Sequence, residues 1–361
     1  MNNKKKINLS KYKSIVTYIC VIIAFAIIRT MITGGAISNS MQGMLVPICA
    51  YICMAVSLNL TVGILGELSL GHAGFMSVGA FSGLVAAACL EGTVTNDSIR
   101  LLISIIIGAI FAAIAGILVG IPVLRLQGDY LAIVTLAFGQ IIKNVLENLY
   151  VGLDGSGLHF SMKDSASLGM KGGTVLINGP RGALGMSKIS TFTAGFLLIL
   201  VVLFITQNLI NSRSGRAIMA IRDNRIAAEA TGISITKYKM IAFVISASMA
   251  GMSGVLYAMN YSTIVPKKFD FNTSILVLVF VVLGGIGNIQ GSIIAATILT
   301  VLPELLRSLR DYRMLIYAIV LILVMLTTNN PTIKNALASF KNKGGGGSGP
   351  EESVQGGASD E

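Results

Sequence analysis

The chain has no tryptophan, two histidines and few charges: over 361 residues, Asp, Glu, Lys and Arg make up 12% against 54% hydrophobic residues. A soluble domain carries about 25% charged residues, so one aqueous core cannot hide this much apolar surface. Enzymes need titratable groups in clusters, and here the apolar runs are nearly empty of them. His72 and His159 lie far apart, and neither has a sequence neighbour suited to a triad or a metal site. Cys20, Cys49, Cys53 and Cys89 all fall in apolar runs with no further ligand nearby, so no metal is expected. No Gly-Lys dipeptide occurs, so the phosphate loop G-x-x-x-x-G-K-[ST] is missing and no cofactor is expected on this chain. No basic cluster is interleaved with aromatics, which excludes a nucleic-acid partner. Carboxylates near span interiors are limited to Glu67 and Glu304, which weakens proton-coupled secondary transport.

What the chain does have is long apolar runs, each able to cross about 30 Å of hydrocarbon. They place spans near 14–32, 42–64, 70–90, 99–121, 130–150, 190–210, 239–261, 272–286, 290–306 and 312–328. The expected fold is an all-α polytopic membrane protein of about ten transmembrane helices in a lipid bilayer. The 70–90 run is rich in Gly and Ser, and the pair at 272–306 is split by Gly284, Gly285 and Gly287; either could be a broken or re-entrant helix. No small-residue cleavage site follows the first run, so it reads as an uncleaved span, not a signal peptide.

The net charge of +11 is uneven. With alternate loops on opposite sides, the two densest basic clusters, at the N-terminus and at 213–239, fall on one side. The positive-inside rule makes that side cytoplasmic, with both termini there and the protein in the cell membrane. The organisation expected is therefore a basic N-terminus (1–13), a transmembrane permease domain (14–328), a basic segment (329–343) and a flexible acidic tail (344–361). Within the domain, the Gly-rich stretch 151–189 is external, either an ordered cap or a flexible flap, and 211–238 is a cytoplasmic loop.

The segment SRSGRAIMAIRDNRIAAEATGI, Ser212 to Ile233, is too polar to cross a bilayer and too rich in helix formers to be a simple loop. Arg225 and Glu229 stand at i and i+4, Gly232 is placed to end a helix, and Asp223-Asn224 suggests a break or N-cap between two short helices. The small side chains of Ala227, Ala228 and Ala230 would let a partner approach closely inside a rim of Arg216, Arg222 and Arg225. The alternative is a solvated surface helix.

In or beside the spans, Asn59, Ser69, His72, Tyr130, Thr135 and Gln140 are polar groups that either line a solute path or make helix-packing hydrogen bonds. Lys143 and Glu147, one turn apart, read as a self-neutralising pair. Gly79 with Gly83, Gly116 with Gly120, and Gly287 with Gly291 have G-x-x-x-G spacing, suited to close packing within the chain or, less specifically, to an oligomer interface. Gly284, Gly285 and Gly287 read as a turn between two half-length spans.

Four runs together carry a resemblance: GELSLGHAGFMSVGA (66–80), LRLQGDYLAIVTLAFGQII (124–142), the 212–233 segment with YKMIAFVISASMAGMSGVLYA (238–258), and VLGGIGNIQGSIIAA (282–296). Taken in order over about 40–306, the chain resembles the LivM-type permease subunit of branched-chain amino acid ABC importers. The resemblance implies a second related permease, two cytoplasmic ABC ATPase subunits that bind the ATP, and an extracytoplasmic amino-acid binding protein. It also implies that Ala227, Ala228, Glu229, Ala230 and Gly232 match the coupling loop that contacts the ATPase. Here Glu229 and Gly232 are three apart and no Leu-Pro follows, a departure from the commonest form of that loop. The expected function is a path for a hydrophobic amino acid, with no chemistry on the solute. A related ABC permease for a nucleoside, urea or a sugar, or an ATP-independent transporter, are the alternatives.

Overall fold

The computed structural model describes residues 9–35, 38–126, 128–155, 157–170, 172–185 and 187–306, with 315, 318, 319 and 322. The chain divides into two units, Met1–Leu305 and Leu306–Glu361, and the fold below is that of the first. The expected span 312–328 and the segments 329–343 and 344–361 lie outside the described residues, those four positions apart.

Among the described residues, seven helices are long and apolar enough to cross a membrane. They are α1 (Leu9–Thr33), α2 (Asn39–Asn59, extended by a π-helical stretch Leu60–Leu65), α3 (His72–Cys89), α4 (Asp97–Val123), α5 (Asp129–Glu147), α6 (Phe192–Asn211) and, after two short helices α7 (Arg213–Asp223) and α8 (Arg225–Ala230), α9 (Ile235–Ala258). Two shorter apolar helices, α10 (Phe271–Gly284) and α11 (Ile289–Leu305), follow. Each begins within a few residues of the start read from the apolar runs, because span length is set by one quantity, the thickness of hydrocarbon to be crossed. The starts of α4, α6 and α10 are fixed by side-chain caps from Asn96, Thr191 and Asp270 to the amides of Ser98, Ala194 and Thr273.

Helix α9 is the centre of the bundle, with α2, α3 and α4 packed around it. Small residues make that possible. A Cβ on Gly79 would run into the Gly251 backbone, and one on Gly254 into Met76; one on Gly116 would stand 2.8 Å from the Ala247 Cβ. The Gly79/Gly83 and Gly116/Gly120 pairs thus serve packing of α3 and α4 on α9 inside this chain. The expectation that the 70–90 run might break is corrected: α3 is continuous, and its glycines are contact points, not hinges. The pair at Gly284 is different. Helices α10 and α11, of 14 and 17 residues, are shorter than the roughly 20 a full span needs. They form a hairpin in which Gly284 and Gly291 meet backbone to backbone, with positive φ at Gly285 and Gly287 turning the chain.

The described residues of 151–189 form strands and short helical turns. Strands β1 (Tyr150–Asp154), β2 (Gly157–Ser161), β3 (Thr174–Asn178) and β4 (Ala183–Leu184) join β5 (Thr263–Ile264) in an antiparallel sheet of order β2-β1-β3-β4-β5. This small sheet lies at one end of a fold that is otherwise the expected all-α polytopic bundle. It ties the α5–α6 and α9–α10 connections together at one end of the bundle, while α7 and α8 lie at the other.

Candidate functional site

The 212–233 segment folds as two helices broken at Asn224. Ser212 caps α7 by accepting from the Gly215 amide at 3.0 Å. The Asn224 side chain accepts from the Ala227 amide at 3.0 Å and so starts α8. Gly232, at φ +85°, ends it, with the Gly232 amide bonded to the Glu229 carbonyl and the Ile233 amide to that of Ala228.

One side of this element faces its own chain. Ile221, Ala228 and Ile235 form a small buried cluster with Ala220, Ile233 and Tyr238 packed against it. Ala228 is therefore corrected: burial inside this cluster removes it from the surface a partner could touch. The outward side carries Arg225, Ala227, Glu229, Ala230 and Gly232, all exposed, and Arg216 and Arg222 on α7 are exposed as well. At its centre is Ile226, 82% exposed. No other large hydrophobic side chain among the described residues is as exposed, and this one is ringed by charged and small residues. Sequence reading passed over Ile226, although an isolated Ile in a polar helical segment was the available signal.

The element is also wired to the bundle. Arg222 Nη1 donates to the Gly63 carbonyl in the π-helical end of α2 at 2.9 Å, and its Nε and Nη2 donate to Asp223 Oδ1 at 3.1 and 2.9 Å. Beside it, Lys239 at the start of α9 and Glu67 after α2 form a nearly buried ion pair. Glu67, Asp129, Arg222, Arg225 and Lys239 surround a polar cavity of about 290 Å³ between the ends of α2, α5, α7 and α9.

Of the polar residues in or beside the spans, three make hydrogen bonds between elements. Asn59 Nδ2 donates to Ser292 Oγ and its Oδ1 accepts from the Gly287 amide, both at 2.9 Å, fastening α2 to the α10–α11 hairpin. His72 Nε2 lies 2.8 Å from Ser57 Oγ and 3.2 Å from Ser246 Oγ, and Thr61 donates to Ser246 at 2.8 Å, joining α2, α3 and α9. Thr135 Oγ1 accepts from the Leu70 amide at 3.1 Å and donates to the Ala132 carbonyl at 2.9 Å. Four of the six, Asn59, Ser69, His72 and Thr135, are buried in the chain. The Ser69 hydroxyl and His72 Nδ1 have no hydrogen-bond partner among the described residues. Tyr130 is 74% exposed and Gln140 half-buried, both on α5. Lys143 and Glu147 pair at 3.3 Å, as their spacing predicts.

A bundle of membrane-length helices packed through glycines, with buried polar fasteners and a capped helical pair at one end, defines a multi-pass membrane protein. The family described as branched-chain amino acid transport system / permease component matches residues 40–325, and the chain belongs to it. The branched-chain amino acid permease protein LivM of Salmonella typhimurium is 33% identical over 314 residues, covering 82% of this chain and 69% of its own. LivM of Escherichia coli is 33% identical over 319 residues, 83% of this chain and 72% of its own. The ribose import permease RbsC of Escherichia coli is 26% identical over 321 residues, 86% of this chain and 92% of its own. No solved structure matches the chain. The family is one of transport permeases and not of enzymes, as the scarcity of titratable groups led us to expect.

Proposed function

We propose that this chain is the membrane-spanning subunit of an ABC importer for branched-chain amino acids, working beside a second related permease and driven by two ATPase subunits that bind the ATP. An extracytoplasmic binding protein delivers the solute on the sheet side, and both termini with α7–α8 lie in the cytoplasm. The observation that carries the reading is exposed Ile226 on a capped helical pair whose Arg222 reaches the π-helical end of α2. A docked ATPase would cover the isoleucine, and its movement would pass through Arg222 into the bundle. The similarity to LivM supports the amino-acid solute.

A second solute class has its own support, since the ribose permease is similar over 86% of this chain. Reconstitution of the full transporter in vesicles with ATP inside separates the two. Labelled leucine, isoleucine or valine should accumulate, and ribose should not; accumulation of ribose alone would move the reading to a sugar permease.

A further inference from the structure

We infer that the free edge of the sheet rests on the membrane, with Leu158, Phe160 and Met162 inserted among the lipids of the leaflet on its own side. Period-two alternation puts Leu158 and Phe160 on one face of β2, with Met162 just past the strand, and the three are 40%, 64% and 62% exposed. Leu158 and Phe160 do not face open water: with Ile107 and Phe111 of α4 and Ile141 and Val145 of α5 they line one apolar groove of about 510 Å³. Those four belong to membrane-length helices, and all but Ile107 are themselves largely exposed. The apolar face of β2 is thus a continuation of the lipid-facing surface of the bundle, and the occupant of the groove is a phospholipid acyl chain.

The backbone fixes the depth. As the edge strand, β2 leaves one row of amides and carbonyls unpaired by the sheet, and hydrocarbon offers these groups no partner. The strand must therefore lie at headgroup level, where water reaches its edge, while its side chains dip below. Lys163, exposed immediately after Met162, is placed to meet lipid phosphate. The sheet is held as an interfacial plate, leaving its opposite face, with His159 and the Met170 that covers Gly152, turned away from the lipid.

The chain has no tryptophan, so one introduced indole reports alone. Phe160→Trp, Met162→Trp and, on the other face of the same strand, His159→Trp are placed in the full chain and reconstituted in vesicles of phosphatidylcholine and phosphatidylglycerol. Phe160→Trp and Met162→Trp should emit at shorter wavelength and lose intensity to lipids brominated near the top of the acyl chain, more than to lipids brominated near its end. His159→Trp should be insensitive to both. Quenching of Phe160→Trp by aqueous iodide without quenching by brominated lipid would overturn the inference, as would resistance to both, which would mean that protein covers the face. Phe160 and Met162 are exposed and should tolerate the indole; His159 pairs with Asp154 at 3.1 Å, and a thermal melt of each variant checks folding.

Discussion

Ile226 and Ala228 sit two residues apart on α8 and point opposite ways, so they separate docking from folding. Ile226→Glu places a charge where the helical pair exposes an aliphatic side chain, and Glu229→Lys reverses a charge on the same side. Both should reduce co-purification of the ATPase and solute-stimulated hydrolysis by about ten-fold while leaving the thermal melt unchanged, since a lost apolar anchor costs about 1–2 kcal/mol. Ala228→Trp should instead lower the melt, because its bulk enters the Ile221–Ile235 cluster. Unchanged ATPase association in the first two variants would reduce α7–α8 to an ordinary surface element. Glycine gives a second residue-scale expectation. Gly79→Leu drives a side chain into the Gly251 backbone and should cost roughly 1–3 kcal/mol or abolish folded yield, whereas Gly92→Leu, in open space, should melt as the wild type does.

At the scale of elements, α9 meets the α2–α3 connection through Lys239 and Glu67. Breaking a nearly buried ion pair from one side strands a charge, at about 3–5 kcal/mol; removing both charges is often neutral. Lys239→Met should therefore lower the melting temperature sharply, and Lys239→Met with Glu67→Gln should recover most of it. A double variant no better than the single would show that the lysine stem, not the charge, holds the ends together. This pair also marks where sequence reading stops. Spans were legible because each is a local run of hydrocarbon length, and the Asn224 break and Gly232 stop because caps act over three or four residues. Glu67 and Lys239 are 172 positions apart, and nothing local in either links them. The same holds for Asn59 and the Gly287 amide, and three of the polar residues singled out, Asn59, His72 and Thr135, make hydrogen bonds between elements distant in sequence. The sheet escaped notice for another reason: its strands are two to five residues long and interrupted by glycines, and the last is supplied by a different connection.

For the whole molecule the open expectation is orientation. In a background with the four native cysteines replaced by serine, a cysteine at Asn224 should be labelled by a membrane-impermeant maleimide only in opened vesicles, and one at Gly155 in intact cells. Both positions are exposed and lie at opposite ends of the bundle. Labelling of position 224 from outside would invert the protein and with it the proposed docking side.

Synthesis imposes an order on the contacts that close this fold. The ribosome adds about 5–20 residues per second, so Glu67 waits roughly 10–30 s for Lys239 to be made. Ser57 and Thr61 wait as long for Ser246, and β4 waits about half as long for β5. Until α9 arrives, the earlier helices hold polar groups with no final partner, in a setting where hydrocarbon would penalise each one. The nascent chain therefore has reason to keep the ends of α2 and α3 near water or beside the insertion machinery, and the entry of α9 is the step that releases them. A chain stopped after α8 should be recognised by the cell as unfinished, and removed.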